Sequence, residues 1–414
     1  MKTKFSIKEN KCRLCFSKDI ERILDLGIQP LANSLVKNKN TKQKKFPLII
    51  FFCKKCKAAQ LTETINPNIL FKEYFWTTST SSAAKKFSKE FYKKLINLKN
   101  KKKPLVVEIA SNDGTFLEPF KNNGYEVVGI DPAKNICNIA NKKKIPTINS
   151  FFDLNISNVI KKNYGEADIL FARNVIAHVK NIHELIDAAY NLISKDGIFA
   201  VEFHYAKKIL DDLQYDSIYH EHLFYYSIQS LKKLFKTHRF NLFDGFKSPI
   251  SGGAMVLIFS KKKIKKTKRF QKLEKIEIKE KVNTIDKWKN FSNKVEKHSL
   301  EFKKEIEKIN LKNGKIVAYG ASARSSTFLN YTKIGQDFIY LIGDKNPLKN
   351  NLYTPGTKIK IICSKFFLKE IKKYKIILLL AWNFKDEILK EFHKHGFSGK
   401  VILPLPKKIK NKFL

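Results

Sequence analysis

Val106-Val107-Glu108-Ile109-Ala110-Ser111-Asn112-Asp113-Gly114-Thr115-Phe116-Leu117 is the stretch on which the fold turns. Leu105 to Ile109 reads as a buried strand, Ala110 to Gly114 as a short polar turn, and the residues after it as the opening of a helix. Such a turn lets backbone N–H groups approach a ligand at a helix N-terminus. The next strand, Val127 to Ile130, ends in Gly129-Ile130-Asp131-Pro132, which puts Asp131 twenty-three residues after Glu108. A carboxylate in that place can grip a ribose diol through two hydrogen bonds.

Outward from this turn, strand and helix alternate. Ala167 to Phe171 reads as a strand, His183 to Leu192 as a helix and Gly197 to Phe203 as a further strand, a pattern that predicts a parallel, doubly wound α/β sheet. A second strand-turn-helix series begins at Lys315-Ile316-Val317-Ala318-Tyr319-Gly320 and runs through 338–342, 375–380 and 400–403. Between the two lies a polar, lysine- and glutamate-rich stretch without proline or glycine, expected to be helical. The first 65 or so residues are turn-rich and too poor in apolar side chains for an independent core, so something must staple them. The expected organisation is a staple module over 1–70, a cofactor-binding α/β domain over 71–260, a helical connector over 261–312 and a second Rossmann-like α/β domain over 313–414. A chain of 414 residues exceeds the roughly 250 to 300 at which single cores stop growing.

The staple is legible in Cys12-x-x-Cys15 and Cys53-x-x-Cys56. Two such knuckles offer four thiolates, the ligand set of a closed tetrahedral zinc site with no position left for catalysis. A redox Cys-x-x-Cys is the competing reading, disfavoured because that motif normally occurs once, in a thioredoxin-like setting. Cys137 and Cys363 are left unpaired. No stretch approaches the ~20 apolar residues of a bilayer crossing, and Lys2, Lys4, Lys8 and Glu9 interrupt any N-terminal signal core, so a soluble cytoplasmic protein is expected. Lysine and arginine outnumber acids 81 to 38, a net charge of +43. The lysines are spread along the chain in runs such as Lys101-Lys102-Lys103 rather than gathered on a nucleic-acid module. General composition, not RNA binding, is the favoured explanation.

The turn also argues for one cofactor over another. It lacks Gly-x-Gly-x-x-Gly and carries Asn112 and Asp113, whose acidity suits a sulfonium and an amino acid better than a pyrophosphate. S-adenosylmethionine (SAM) is therefore expected over a dinucleotide, with Glu108, Ala110, Asn112, Asp113, Gly114, Asp131 and Asn174 around it. Beyond the last strand of this sheet, Gln214-Tyr215-Asp216-Ser217-Ile218-Tyr219-His220-Glu221-His222-Leu223 gathers groups able to move a proton. His-Glu-His lacks the i, i+4 histidine pair of a zincin, so a catalytic metal is not expected there.

With these motifs in order, the chain resembles the sugar C-methyltransferase family over nearly its full length. The matching features are the early cysteine pairs, Leu26-Gly27-x-x-Pro30-Leu31-Ala32-Asn33, Glu108 to Gly114, Tyr219-His-Glu-His222 and Gly320-Ala-Ser-Ala323. The resemblance implies methylation of a nucleotide-linked 4-keto-deoxysugar on the carbon beside the ketone, by α-deprotonation and transfer to the enolate. It also implies His222 as base, Glu221 and Tyr219 as its partners, His178 as a further active-site contact and Tyr74 as a substrate contact. Two departures stand out. Trp76 occupies the place of the family's second tyrosine, and Arg324-Ser325 that of a lysine-glycine. Gly320, Ser322 and Arg324 follow a strand and are expected to hold the sugar's phosphates; a purely structural lid is the other reading of that domain. An O- or N-methyltransferase and a non-catalytic scaffold remain the functional alternatives, and a monomer or small homo-oligomer is expected.

Overall fold

The apolar run Leu105–Ile109 is buried at every position and forms the centre of a seven-stranded sheet. The computed structural model describes residues 5–70, 77–98, 104–250 and 252–405. Glu126–Asp131 and Ala167–Arg173 flank the central strand in parallel, Thr147–Asn149 closes one edge, and Ile193–His204 continues the other. Beyond it lie Ala254–Ser260 and then Asn241–Ser248. In strand order this is 3-2-1-4-5-7-6, a Rossmann-like class I methyltransferase sheet. The sheet is not wholly parallel as expected: Ala254–Ser260 runs against its neighbours. Its connection from Asn241–Ser248 is too short for a crossover helix, and a short connection joins only antiparallel strands.

The C-terminal sheet is parallel throughout, with Ile316–Tyr319 at its centre, Ile339–Asp344 and Lys360–Cys363 on one side, and Ile376–Leu379 and Lys400–Ile402 on the other. The helices Lys268–Lys279 and Ile285–Asn313 occupy the polar stretch between the two sheets.

The N-terminal strands Ile20–Pro30, Lys45–Cys53 and Ala59–Leu61 form an antiparallel sheet whose fourth member, Phe224–Tyr225, comes from the segment just after the acid–base cluster. Among the described residues, the core that belongs to this part alone is the small cluster Leu31, Phe46 and Ile65. Cys12, Cys53 and Cys56 belong to the core of the seven-stranded sheet, while Leu24, Leu26 and Ile50 share another with Trp288, Ile316 and Phe328. The segment from 214 to 225 therefore lies where all three parts of the chain meet. Among the described residues no helix is long and apolar enough to cross a membrane.

Candidate functional site

The four cysteines come together as the spacing predicts. Their sulfurs lie within 4.8 Å of one another, with Cys12 to Cys56 and Cys15 to Cys53 each at 3.5 Å. Zinc–sulfur bonds of about 2.3 Å in a tetrahedron place sulfurs roughly 3.8 Å apart, so the cluster fits zinc. Gln60 Nε2 donates to Cys12 Sγ at 2.9 Å, and the same side chain's Oε1 accepts from Arg13 N, an outer layer that fixes the first knuckle.

At the cofactor turn the backbone carries the load. Ala110, Asn112 and Gly114 have φ of 54°, 51° and 75°, left-handed conformations that fold the strand end back on itself. Asp131 anchors the turn: its Oδ2 accepts from Asn112 N at 3.0 Å and its Oδ1 from Ala133 N at 2.9 Å. Each oxygen keeps a second lone pair for a ribose hydroxyl. Glu108 Oε2 and Ser111 Oγ are buried without a hydrogen-bond partner. Burial pushes the Glu108 carboxyl well up, Arg173 opposing it. An orphaned acceptor beside such a turn suits the amino and hydroxyl donors of SAM. Asn174, φ 51°, follows the Arg173 strand end, its N–H donating to Glu202 O at 2.8 Å.

Asp113, expected near the cofactor, is packed into the turn. Its carboxylate is wholly buried, accepting from Ser79 N at 3.1 Å and Thr115 Oγ1 at 2.6 Å and pairing with Lys143 at 3.2 Å. These contacts brace the turn from within.

The acid–base loop is held from three sides. His222 and Tyr219 stack with ring centroids 4.0 Å apart, and His178 meets His222 edge-on at 4.8 Å, so three of the four residues assigned to the chemistry form one aromatic cluster. His222 Nδ1 lies 2.8 Å from Ser217 O. Because a carbonyl only accepts, Nδ1 carries the hydrogen and Nε2 presents a lone pair. Burial first, then His178, His204 and Arg324, hold the His222 ring well below its ordinary proton affinity, so it is neutral. Burial likewise lowers His178 to about 4, whereas it pushes Glu221 up to about 7. The N-terminal segment reaches this loop through Asn33 Nδ2, which donates to Glu221 Oε2 at 2.9 Å, and through Pro47 O against His220 Nε2 at 3.2 Å.

From the C-terminal sheet comes the grip that the sequence reading missed. Arg324 Nε and Nη2 each donate to Asp216 at 3.0 Å, Nη2 also reaches Gln214 Oε1 at 3.0 Å, and Trp382 Nε1 donates to Asp216 Oδ2 at 2.8 Å. Asp216 and Arg324 side chains are 3% and 13% exposed. Gly252 is needed beside them: a Cβ there would stand 2.9 Å from Arg324 Nη1, on a backbone with φ 77°. Thr327 Oγ1 adds a bond to Ile218 O at 2.9 Å. Gly320, Ser322 and Arg324, expected to hold the sugar's phosphates, lie together at the start of the helix Ala323–Thr332, where each also has a structural contact. Arg324 is an internal clamp. Ser322 caps the helix Ala323–Thr332 in a reciprocal box with Ser325, and Gly320 is required because a Cβ would come 2.8 Å from Ala381 N. The acidic Asp216 stood in the quoted cluster, but a partner 108 residues away carries no local signal. Tyr74 and Trp76 lie outside the described residues.

Among the described residues, removing Arg324 leaves the buried Asp216 with the uncharged Trp382 indole N–H as its donor. Breaking a buried pair from one side costs about 3–5 kcal/mol. Arg324→Ala is expected to lower the urea midpoint accordingly, and Arg324→Lys to recover only part, because an ammonium cannot reproduce the two-pronged contact; an unchanged midpoint in both contradicts the clamp.

Comparison with known proteins follows the same three parts. Residues 12–71 match a zinc binding domain family, 83–243 a methyltransferase domain family, and 249–406 the C-methyltransferase C-terminal domain family. The C-methyltransferase NovU of Streptomyces niveus is 30% identical over 410 residues, 96% of each chain. This chain belongs to the C-methyltransferase family. It is a SAM-dependent C-methyltransferase with a zinc-binding N-terminal part, and the O- or N-methyltransferase and scaffold readings fall away. Among solved structures, the PH0226 protein of Pyrococcus horikoshii aligns at TM-score 0.37 and 16% identity, covering 47% of the methyltransferase and 99% of that chain. A SAM-dependent methyltransferase of Clostridium acetobutylicum aligns at TM-score 0.34 and 14% identity, covering 42% and 91%. Both likenesses are too distant to carry an argument about function.

Proposed function

We propose that this methyltransferase acts on a nucleotide-linked keto-deoxysugar at the carbon beside the ketone, with His222 taking the α-proton. The sugar comes from the resemblance to the sugar C-methyltransferases; the observation that carries the chemistry is the His222 tautomer, with Nδ1–H on Ser217 O and a neutral Nε2 left to accept. Carbon beside a ketone is a nucleophile only once deprotonated, so a positioned base and a donor for the enolate oxygen are the two requirements. Tyr219, stacked on His222, is the donor in this reading. SAM supplies the electrophilic methyl group when bound. The nucleotide is assigned to the crest of the C-terminal sheet, where the strand order reverses between Ile316–Tyr319 and Ile376–Leu379, the place at which open α/β sheets take ligands. Glu221 is a second candidate base, favoured by a proton affinity of about 7, near the working range of an acid–base group.

Methyl-labelled SAM and a panel of nucleotide-linked keto sugars test the reading: carbon NMR is expected to show the label bonded to carbon beside the ketone, and a label on oxygen, or on none of the sugars, contradicts it. The pH profile follows from Glu221. A carboxyl raised to about 7 is protonated below that pH and charged above it, so activity that uses the carboxylate falls as pH drops through about 7. His178, near 4, and His204, near 3, stay neutral across this window and add no limb. Glu221→Gln is expected to abolish the acid limb of kcat; a limb that persists in that variant assigns it elsewhere.

A further inference from the structure

The Leu26 to Asn33 stretch has so far only marked a resemblance. In the structure it does something specific. Leu31 and Ala32 are buried beneath the end of Ile20–Pro30, and the chain then turns, with Ser34 N donating to Leu31 O at 3.1 Å and Leu35 N to Asn33 O at 2.9 Å. That turn sends the Asn33 amide to Glu221, 188 residues later, at 2.9 Å. Glu221 is 6% exposed, whereas Asn33 sits at the solvent side of the contact. Among the described residues, Asn33 is the hydrogen-bond partner of the Glu221 carboxylate.

We propose that Asn33 is a positioning residue of the active site: its amide N–H holds the Glu221 carboxylate in place and in its charged form, so the zinc-binding part completes the catalytic constellation. The proposal rests on Glu221 taking part in the reaction. An amide N–H bonds more strongly to a charged carboxylate than to the carbonyl of a carboxylic acid, so the contact favours the ionised form. Desolvation works against it. The other groups around Glu221 do not replace the amide. On its own loop, Asp216 is held by Arg324, and His220 faces Pro47 O. The His222 Nδ1–H is committed to Ser217 O, and Tyr219 stacks on the same ring. His178 contacts the Glu221 backbone, not its carboxylate. On the N-terminal strand leading to Asn33, Arg22 and Asp25 pair with each other.

The infrared titration separates Asn33 from the sugar reading, because that half of the test needs no substrate. The infrared band of the buried carboxyl, assigned by its loss in Glu221→Gln, is followed against pH in the full-length zinc-loaded enzyme. In the wild type its midpoint is expected near 7. In Asn33→Ala, and in the equal-sized Asn33→Asp, the midpoint is expected to rise by about one pH unit or more, and the acid limb of kcat to rise with it. The exposed position of Asn33 makes both variants compatible with folding, and zinc content and urea midpoint check this. A band midpoint unchanged in both variants, or one that moves while the kcat limb stays in place, overturns the proposal. A wild-type enzyme that shows the band but transfers no methyl to keto sugars overturns the sugar reading instead.

Discussion

Replacing His222 with alanine is expected to lower methyl transfer by about a hundredfold to ten-thousandfold, the range that a positioned acid–base group contributes. Binding of SAM should be untouched, because the cofactor turn is built from Ala110, Asn112, Gly114 and Asp131 and makes no contact through the His222 ring. The loss should appear in kcat and equally in exchange of the sugar's α-hydrogen with solvent. His222→Asn sharpens the result, since an amide can still donate to Ser217 O yet has no ring nitrogen to take a proton. Exchange at the wild-type rate in both variants transfers the base role to Glu221.

Stripping the zinc, or Cys53→Ser, is expected to disable the enzyme as completely, although the metal takes no part in the chemistry. Structural zinc contributes on the order of 10–16 kcal/mol in small zinc modules, comparable with the whole margin of ~5–15 kcal/mol that holds an ordinary domain folded. The N-terminal strands have only the small cluster of Leu31, Phe46 and Ile65 to fall back on. Their sheet also includes Phe224–Tyr225, and Leu61 N donates to Leu223 O at 3.0 Å, one residue from His222. Loss of the clip should therefore free the amides of Leu61 and Tyr225 to exchange hydrogen rapidly and release Asn33 from Glu221. Full activity and unaltered amide protection after complete removal of zinc contradict this coupling.

What could be read in advance was whatever the chain writes locally. The strand and turn from Val106 to Gly114 show a period, a breaker and a helix start within twelve residues, and each Cys-x-x-Cys knuckle carries its meaning within four. The parallel C-terminal sheet followed from repetition of the same unit. What stayed hidden depends on distant partners. Asp113 and Asp131 look alike in sequence, and the closing of Lys143, Ser79 and Thr115 over the first has no local signal. The contacts of Arg324 and Trp382 with Asp216, made by residues more than a hundred positions away, carry no local signal. The antiparallel strand Ala254–Ser260 is apolar at nearly every position and carries no sign of its direction, which the short connection before it decides.

Methylation beside a ketone requires that the carbon first give up its proton. Incubating the wild-type methyltransferase with a thymidine-diphosphate-linked 4-keto-deoxysugar and S-adenosylhomocysteine in deuterated water, where no methyl can be transferred, isolates that step. Deuterium entering at the carbon beside the ketone, at a rate that collapses in His222→Ala, is the predicted result. No deuterium at that carbon, or deuterium entering as fast in His222→Ala as in the wild type, would contradict it.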